Sequence, residues 1–308
     1  MSPSVLVTRR LPSSIIAKLE RAATVDVYDG DGPMPADELR ARVRDKDAVV
    51  GMFTDPIDKA FFDSAPNLKI VATVAVGYNN IDVASARSGG VVVTNTPDVL
   101  TDSTADLAWA MILAMTRRIA EGDRLVRRGG WIGWSFDFML GSEVRGKQLG
   151  VIGFGRIGRA VAQRAEAFGM RVEHAGRGGA GMSLDRLLNT SDVVSLHVPL
   201  TPDTRHLIDR RALARMKRSA YLVNTSRGPV VDEEALAWAL RERLIAGAAL
   251  DVYENEPTVH PDLLKLENVL LVPHLGSATT ETRTAMADLA VENVLAVLAG
   301  KPPLTPIP

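Results

Sequence analysis

The chain has 308 residues, 46% of them hydrophobic and 24% charged, the ordinary balance of a soluble globular protein of about two domains. Its 36 Lys+Arg against 37 Asp+Glu leave a formal net charge of -1, so no global positive field recruits nucleic acid or an anionic membrane surface. Cysteine is absent, which excludes disulfides, zinc–thiolate sites and thiol nucleophiles and suits a reducing, cytoplasmic setting.

Short β-branched runs alternate with amphipathic stretches from the start. Val5–Thr8, Thr24–Val27, Ala48–Gly51, Lys69–Thr73 and Val91–Thr94 read as strands. Between them, Ser13–Ala23, Ala36–Arg44, Asp58–Ser64 and Ile81–Ser88 read as helices, with Gly89-Gly90 as a C-terminal stop. Strand-then-helix alternation implies a parallel sheet with helical crossovers. A longer helix is expected from Ser103 to about Arg127, with Ser103 and Asp106 as a capping box and Leu107, Met111 and Ala114 on one apolar stripe. An aromatic, glycine-bearing segment follows, Gly129 to Gly141. A second alternating series begins at Gln148, with strands near 149–153, 171–175, 192–196, 220–224, 248–251 and 269–272 and a last helix at about 280–298. No apolar run approaches the ~20 residues a membrane-spanning helix needs, and the first residues lack the basic-then-apolar order of a secretory signal.

The strongest local motif is Gly153-Phe154-Gly155-Arg156-Ile157-Gly158, after the apolar run Leu149–Ile152 and at the head of a helix. In that context the first glycine makes a tight turn, the second admits a pyrophosphate close to the backbone, and the third lets helix pack on strand. The helix start supplies free N–H groups and a favourable dipole for the anion. An acidic residue about 20 positions on would bind the ribose 2′-hydroxyl of NAD. Here that place holds Gly176, followed by Arg177. Glycine makes space and a guanidinium fork suits a 2′-phosphate, so NADP(H) is the expected cofactor.

Three further segments each lie just past an expected strand, where open α/β sheets place ligands. They are Val223 to Gly228, Leu250 to Pro257 and Pro273 to Thr279. Arg227, Glu256 and His274 at those ends are the parts needed to reduce a 2-keto acid. Arginine would clamp the carboxylate and polarise the ketone oxygen, histidine would supply the proton, and the glutamate would orient the imidazole and stabilise its charge. His174, His197, His206 and His260 have no metal-ligand companions at useful spacing and read as structural; no metal is expected.

At these residues the chain resembles the D-isomer-specific 2-hydroxyacid dehydrogenase family, over nearly its whole length. The glycine motif, the segment NTSRG and the segment PHLGSAT stand in the family's order and spacing. The resemblance implies that Arg227 binds substrate, that His274 is the acid/base, and that Glu256 is its partner. It implies cofactor contacts from Thr104, Arg156, Ile157, Val198, Pro199 and Thr225, with Asp251 holding the nicotinamide carboxamide, and a substrate contact from Ser277. Within the family, the segments Ala75 to Asp82 and Asn95 to Asp102 are similar to those of NADPH-dependent glyoxylate/hydroxypyruvate reductases. In those relatives the amides of Val76 and Gly77 take the substrate carboxylate. Gly176-Arg177 likewise resembles the NADPH-using branch, and Phe138 stands where those reductases tend to carry tryptophan.

The expected fold is α/β: two doubly wound, parallel-sheet (Rossmann-like) domains with the active site in an interdomain cleft. Residues 1–98 plus 281–308 are expected as the substrate-binding domain and 99–280 as the dinucleotide-binding domain. The long helix and aromatic loop suggest a homodimer. The expected activity is NADPH-dependent reduction of small 2-keto acids, glyoxylate and hydroxypyruvate foremost. The alternatives are reduction of a 2-ketogluconate-type acid, and a non-catalytic dinucleotide-sensing co-regulator on the same fold.

Overall fold

The computed structural model describes residues 2–179 and 181–308. The chain opens with β1 (Ser4–Val7), α1 (Ser13–Glu20), β2 (Thr24–Val27), α2 (Ala36–Arg42), β3 (Ala48–Gly51), α3 (Lys59–Asp63), β4 (Ile70–Thr73), α4 (Val83–Ser88) and β5 (Val92–Thr94). Two helices follow, α5 (Thr101–Thr116) and α6 (Ile119–Arg127). The second series is β6 (Gln148–Ile152), α7 (Arg156–Ala167), β7 (Arg171–Ala175), α8 (Leu184–Thr190), β8 (Val193–Leu196), α9 (Arg210–Arg215) and β9 (Tyr221–Asn224). It continues with α10 (Glu233–Arg241), β10 (Gly247–Leu250), β11 (Val269–Leu271) and α11 (Thr280–Leu298). The chain divides into two compact units, one running to Leu100 and including Thr279–Pro308, the other Thr101–Ala278. Each junction lies two residues from the boundary expected from the sequence.

In the first unit the strand order is β2-β1-β3-β4-β5, all parallel. Its inner strands β1, β3 and β4 are buried on both faces, where helices cover the sheet. Side chains alternate across the sheet: Leu6, Val49 and Val71 enter one core with Leu39 and Phe61, while Val5, Val7, Val50 and Ala72 enter another with Leu19, Ala290 and Val294. The tail after α11 returns to the β5 edge, where the Ile307 amide donates to Val93 O at 2.8 Å. Buried Asn293 holds that return, its side-chain oxygen accepting from the Leu304 and Thr305 amides at 2.9 and 3.0 Å.

The second unit's sheet runs β11-β10-β9-β8-β6-β7, again all parallel. Counted from its own first strand the order is 2-1-3-4-5-6, so chain direction across the sheet reverses between β6 and β8. Ligands bind outside the strand ends at such a switch point. Ladder register then decides what meets at that edge. Ile152 pairs with Leu196, Leu196 with Asn224, Asn224 with Leu250, and Leu250 with Leu271. The loops after all five strands therefore start level.

The single helix expected from Ser103 to Arg127 is two. α5 starts at Thr101, which puts Ser103 inside it, and Asp106 accepts from Arg164 Nε at 2.7 Å instead of closing a capping box. Its buried face is Ala105, Ala108, Trp109 and Ile112 with Met111, rather than the stripe through Leu107 and Ala114. The break has a local cause. Thr116 O, which would continue the helix ladder, accepts from the Ser142 amide at 2.7 Å, and Arg118 turns left-handed at φ 55°. A Cβ on Gly141 would come within 2.4 Å of that same carbonyl, so only glycine lets the returning strand approach.

Candidate active site

The glycine turn sits at the switch point of the second sheet. Gly153 has φ +93°, and a Cβ there would lie 2.6 Å from His197 O. A Cβ on Gly158 would lie 2.2 Å from Gly153 O, which is the close helix–strand packing expected of the third glycine. Gly155 differs: a Cβ there would meet nothing within 4 Å. The backbone at Gly155 thus faces open space, as a pyrophosphate cradle requires. Helix α7 follows Gly155, its N-cap residue, without a side-chain cap and without an acid in its first turn. Its N–H groups and dipole are left for an external anion. By contrast α8, α9, α10 and α11 are each capped by a Ser, Asp or Thr side chain. The residues present therefore fit a dinucleotide.

Arg156 and Ile157 open α7, Val198 packs beneath Gly153, and Pro199 follows it on the surface. Phe154 stacks on His174 at 4.2 Å between ring centroids, and the Arg159 guanidinium carbon lies over the Phe154 ring, 5.6 Å from its centroid. Next to that stack, β7 is followed by Gly176 and Arg177, both exposed. The Arg177 guanidinium makes no hydrogen bond or ion pair with the described residues. Burial pushes the imidazole of His197 down to about 4, and its Nε2 lies 2.8 Å from Ser195 Oγ.

The loop after β9 is built by Asn224. Its side-chain oxygen accepts from the Ser226 amide at 3.0 Å and from Ser226 Oγ at 2.8 Å, and its Nδ2 donates to Arg227 O at 2.9 Å. This asparagine-closed turn presents Arg227, whose Nη1 donates to Ser226 O at 2.7 Å. Burial pushes the Arg227 guanidinium below its ordinary value, opposed by the charge of Glu256. Thr225 Oγ1 is buried beside it without a hydrogen-bond partner among the described residues.

The loops after β10 and β11 carry the other two groups. His274 Nδ1 lies 2.9 Å from Glu256 Oε2, and Glu256 Oε1 accepts from the Tyr253 amide at 3.1 Å. Burial works to raise the Glu256 carboxyl; the His274 hydrogen bond and charge, the Tyr253 amide and the Arg227 charge outweigh it and hold it below the usual range. His274 sits at φ +53°, a left-handed conformation costing a bulky residue about 1–2 kcal/mol. Asp251 holds it there. The His274 amide donates to Asp251 O at 2.9 Å, while the two carboxylate oxygens accept from the amides of Leu275 (2.5 Å) and Gly276 (2.9 Å). Burial pushes the Asp251 carboxyl up, against the pull of those amides and of His274.

Thr104, on α5, closes this group. A Cβ on Gly276 would be 3.3 Å from Asp251 Oδ2 and 3.5 Å from Thr104 Oγ1, and Ser277 is the next residue. The second unit thus brings together Arg227, Glu256, His274, Asp251 and Thr104. Val76 and Gly77 belong to the first unit, just past β4, where Val76 O accepts from Asn95 Nδ2 at 2.8 Å. Sequence reasoning overlooked Asn224, Gly228 and Glu233 as builders of these loops. For Asn224 and Gly228 the signal was present, since both lie inside NTSRG.

Residues 109–276 match the model of the D-isomer specific 2-hydroxyacid dehydrogenase, NAD binding domain. The chain is 49% identical to a glyoxylate reductase of Korarchaeum cryptofilum, over 98% of this chain and 95% of that protein. It is 47% identical to a glyoxylate reductase of Thermococcus onnurineus, over 99% and 96%. Among solved structures, a protein from Thermus thermophilus superposes with TM-score 0.94 at 45% identity, covering 99% of this chain and all of that one. The NADPH-dependent glyoxylate/hydroxypyruvate reductase of Sinorhizobium meliloti, in complex with NADP and malonate, gives TM-score 0.88 at 34% identity, covering 100% and 97%. With its glycine cradle and its three in-register loops, the chain belongs to the D-isomer specific 2-hydroxyacid dehydrogenase family, oxidoreductases that use a nicotinamide dinucleotide.

Proposed function

We propose that this protein reduces small 2-keto acids, glyoxylate and hydroxypyruvate foremost, to 2-hydroxy acids with NADPH. The observation that carries the reading is the 2.9 Å contact between His274 Nδ1 and Glu256 Oε2, with Arg227 presented from the neighbouring strand end. Bound dinucleotide supplies the hydride. Arg227, desolvated and charged, polarises the ketone oxygen and holds the carboxylate. His274 gives its Nε2 proton to the oxygen as it gains charge, and Glu256 on Nδ1 fixes the ring's orientation and tautomer. Asp251 takes the carboxamide with lone pairs left over from its two amide contacts. Thr104, Thr225 and the α7 start hold the rest of the dinucleotide, and Ser277 lines the substrate side.

NADPH over NADH follows from Gly176 and Arg177: an exposed guanidinium without a partner among the described residues, beside a glycine where a carboxylate would repel a 2′-phosphate. The Sinorhizobium relative with NADP bound supports the same choice. We assign the protein to the cytoplasm; none of the described helices is long and apolar enough to cross a membrane. We also infer a homodimer. Helix α6 buries none of its residues, and Trp131, Ile132, Trp134 and Phe136 after it are 57–99% exposed. A contiguous apolar surface of that kind marks an association site, and a two-fold pairing of identical arms is the simplest closed way to cover it.

The test is steady-state kinetics with glyoxylate, hydroxypyruvate and 2-ketogluconate, each with NADPH and NADH. Highest kcat/KM with the two small acids and NADPH is expected. Turnover confined to 2-ketogluconate would overturn the substrate assignment, and no turnover with any would favour a non-catalytic sensor.

A further inference from the structure

Helix α10 begins next to the Glu256 loop, and its first residue behaves unlike a helix-start acid. Glu233 is 5% exposed. The capping of α10 is already done by Asp232, whose side chain accepts from the Ala235 amide at 2.9 Å. The Glu233 carboxylate instead reaches out of the helix. Its Oε1 accepts from the Glu254 amide at 2.7 Å. Glu254 answers in kind, its Oε1 accepting from the Glu233 amide at 3.0 Å. His206 Nε2 lies 3.2 Å from the same Glu254 oxygen.

These contacts sit at the start of one loop. Between Glu254 and His260 the chain makes a tight turn, with the Thr258 amide donating to Asn255 O at 2.8 Å, and Glu256 stands within it. One buried carboxylate therefore ties down the start of the segment that presents Glu256 to His274. Burying that carboxylate is unfavourable, and burial pushes its carboxyl up. An apolar residue there would avoid the cost but leave the Glu254 amide unmatched.

We propose that Glu233 is a positioning residue for the Glu256–His274 pair, stapling the Glu254 end of the Glu254–His260 loop to the start of α10 and so setting where Glu256 stands. The inference rests on that pair being the proton-delivering one. A displacement of about 1 Å in a catalytic group can cost on the order of 100-fold in rate, so loss of the staple is expected in kcat rather than in cofactor binding.

The experiment is a double-mutant cycle on the intact enzyme with glyoxylate and NADPH, measuring kcat and KM, with the NADPH Kd from nicotinamide fluorescence. Glu233→Ala is expected to lower kcat about 10- to 100-fold with the NADPH Kd unchanged. Glu233→Gln, which keeps an oxygen for the Glu254 amide, should recover most of the loss. In a Glu256→Gln background, Glu233→Ala should cost less than about 3-fold, because residues acting through one another are not additive. Equal losses in both backgrounds, or wild-type kcat in Glu233→Ala, would overturn the positioning role while leaving the catalytic pair intact. Wild-type kinetics in Glu256→Gln itself would overturn both. Should Glu233→Ala fail to fold, Glu233→Asp, one methylene short of the loop, enters the same cycle with the same two outcomes.

Discussion

Gly228 and Tyr253 meet backbone to backbone: a Cβ on Gly228 would lie 1.8 Å from the Tyr253 carbonyl carbon and 2.4 Å from the Glu254 nitrogen. The loop that presents Arg227 and the loop that presents Glu256 are thereby in direct contact, with no side chain between them. Gly228→Ala must push them apart. Overpacking of this kind costs about 1–3 kcal/mol, and the displaced Arg227 should lower kcat/KM as well. Urea unfolding together with kinetics checks it; a variant with wild-type stability and rate would mean that the two loops yield without consequence.

Arg227→Ala should raise KM and lower kcat together. A hydrogen bond to a charged group contributes about 1.5–3 kcal/mol, or about 10- to 100-fold in kcat/KM. His274→Ala should leave KM nearly unchanged and lower kcat about 10²–10⁴-fold, the usual size of general-acid catalysis. Loss of substrate affinity alone in the His274 variant would show that the imidazole binds and does not donate.

Cofactor choice is expected to turn on two exposed positions. Gly176→Asp with Arg177→Ala should exchange the preference from NADPH to NADH, since the carboxylate accepts the ribose hydroxyls and repels a 2′-phosphate. Removing one charge-assisted contact should alone weaken NADPH by about 10- to 100-fold. Ratios of kcat/KM for both cofactors in both proteins decide it. Equal use of NADH by the unmodified protein would show that Arg177 points into solvent.

Stability should depend on pH through Glu256. Its carboxyl lies below its ordinary value in the folded protein, burial being outweighed by His274, the Tyr253 amide and Arg227. A group whose folded value is depressed contributes stability above its unfolded value, about 4.3 for glutamate, and loses it as pH falls through the folded value. Urea unfolding from neutral to acidic pH should therefore show the unmodified protein converging on Glu256→Gln. Parallel curves would mean that the ionised carboxylate stabilises nothing.

The aromatic arm gives a concentration-dependent prediction. Trp134→Ser with Phe136→Ser removes two of the most exposed aromatic side chains, 81% and 85% accessible. Sedimentation velocity at micromolar concentration should show the unmodified protein as a dimer and the variant shifted to monomer. A monomer in both would leave the arm without a partner of its own kind.

The parallel-sheet fold was legible because its signals are local. Each strand from β6 to β11 lies within a residue or two of the run read from β-branched periodicity, and Gly153, Gly155 and Gly158 hold the turn their spacing implied. Arg227, Glu256 and His274 could be nominated because each follows a strand, and a parallel sheet puts strand ends on one edge. What the one-dimensional pattern left out was everything arising from the approach of distant segments. The α5–α6 break depends on Ser142 taking Thr116 O, a partner 26 residues away in sequence. The left-handed His274 depends on Asp251, and the standing of Glu256 on Glu233, through contacts to backbone amides rather than to recognisable side-chain partners. Propensity and periodicity report on a residue's neighbours in the chain. The N–H group that a buried carboxylate will find is decided only by strand register and by where glycine lets two backbones touch.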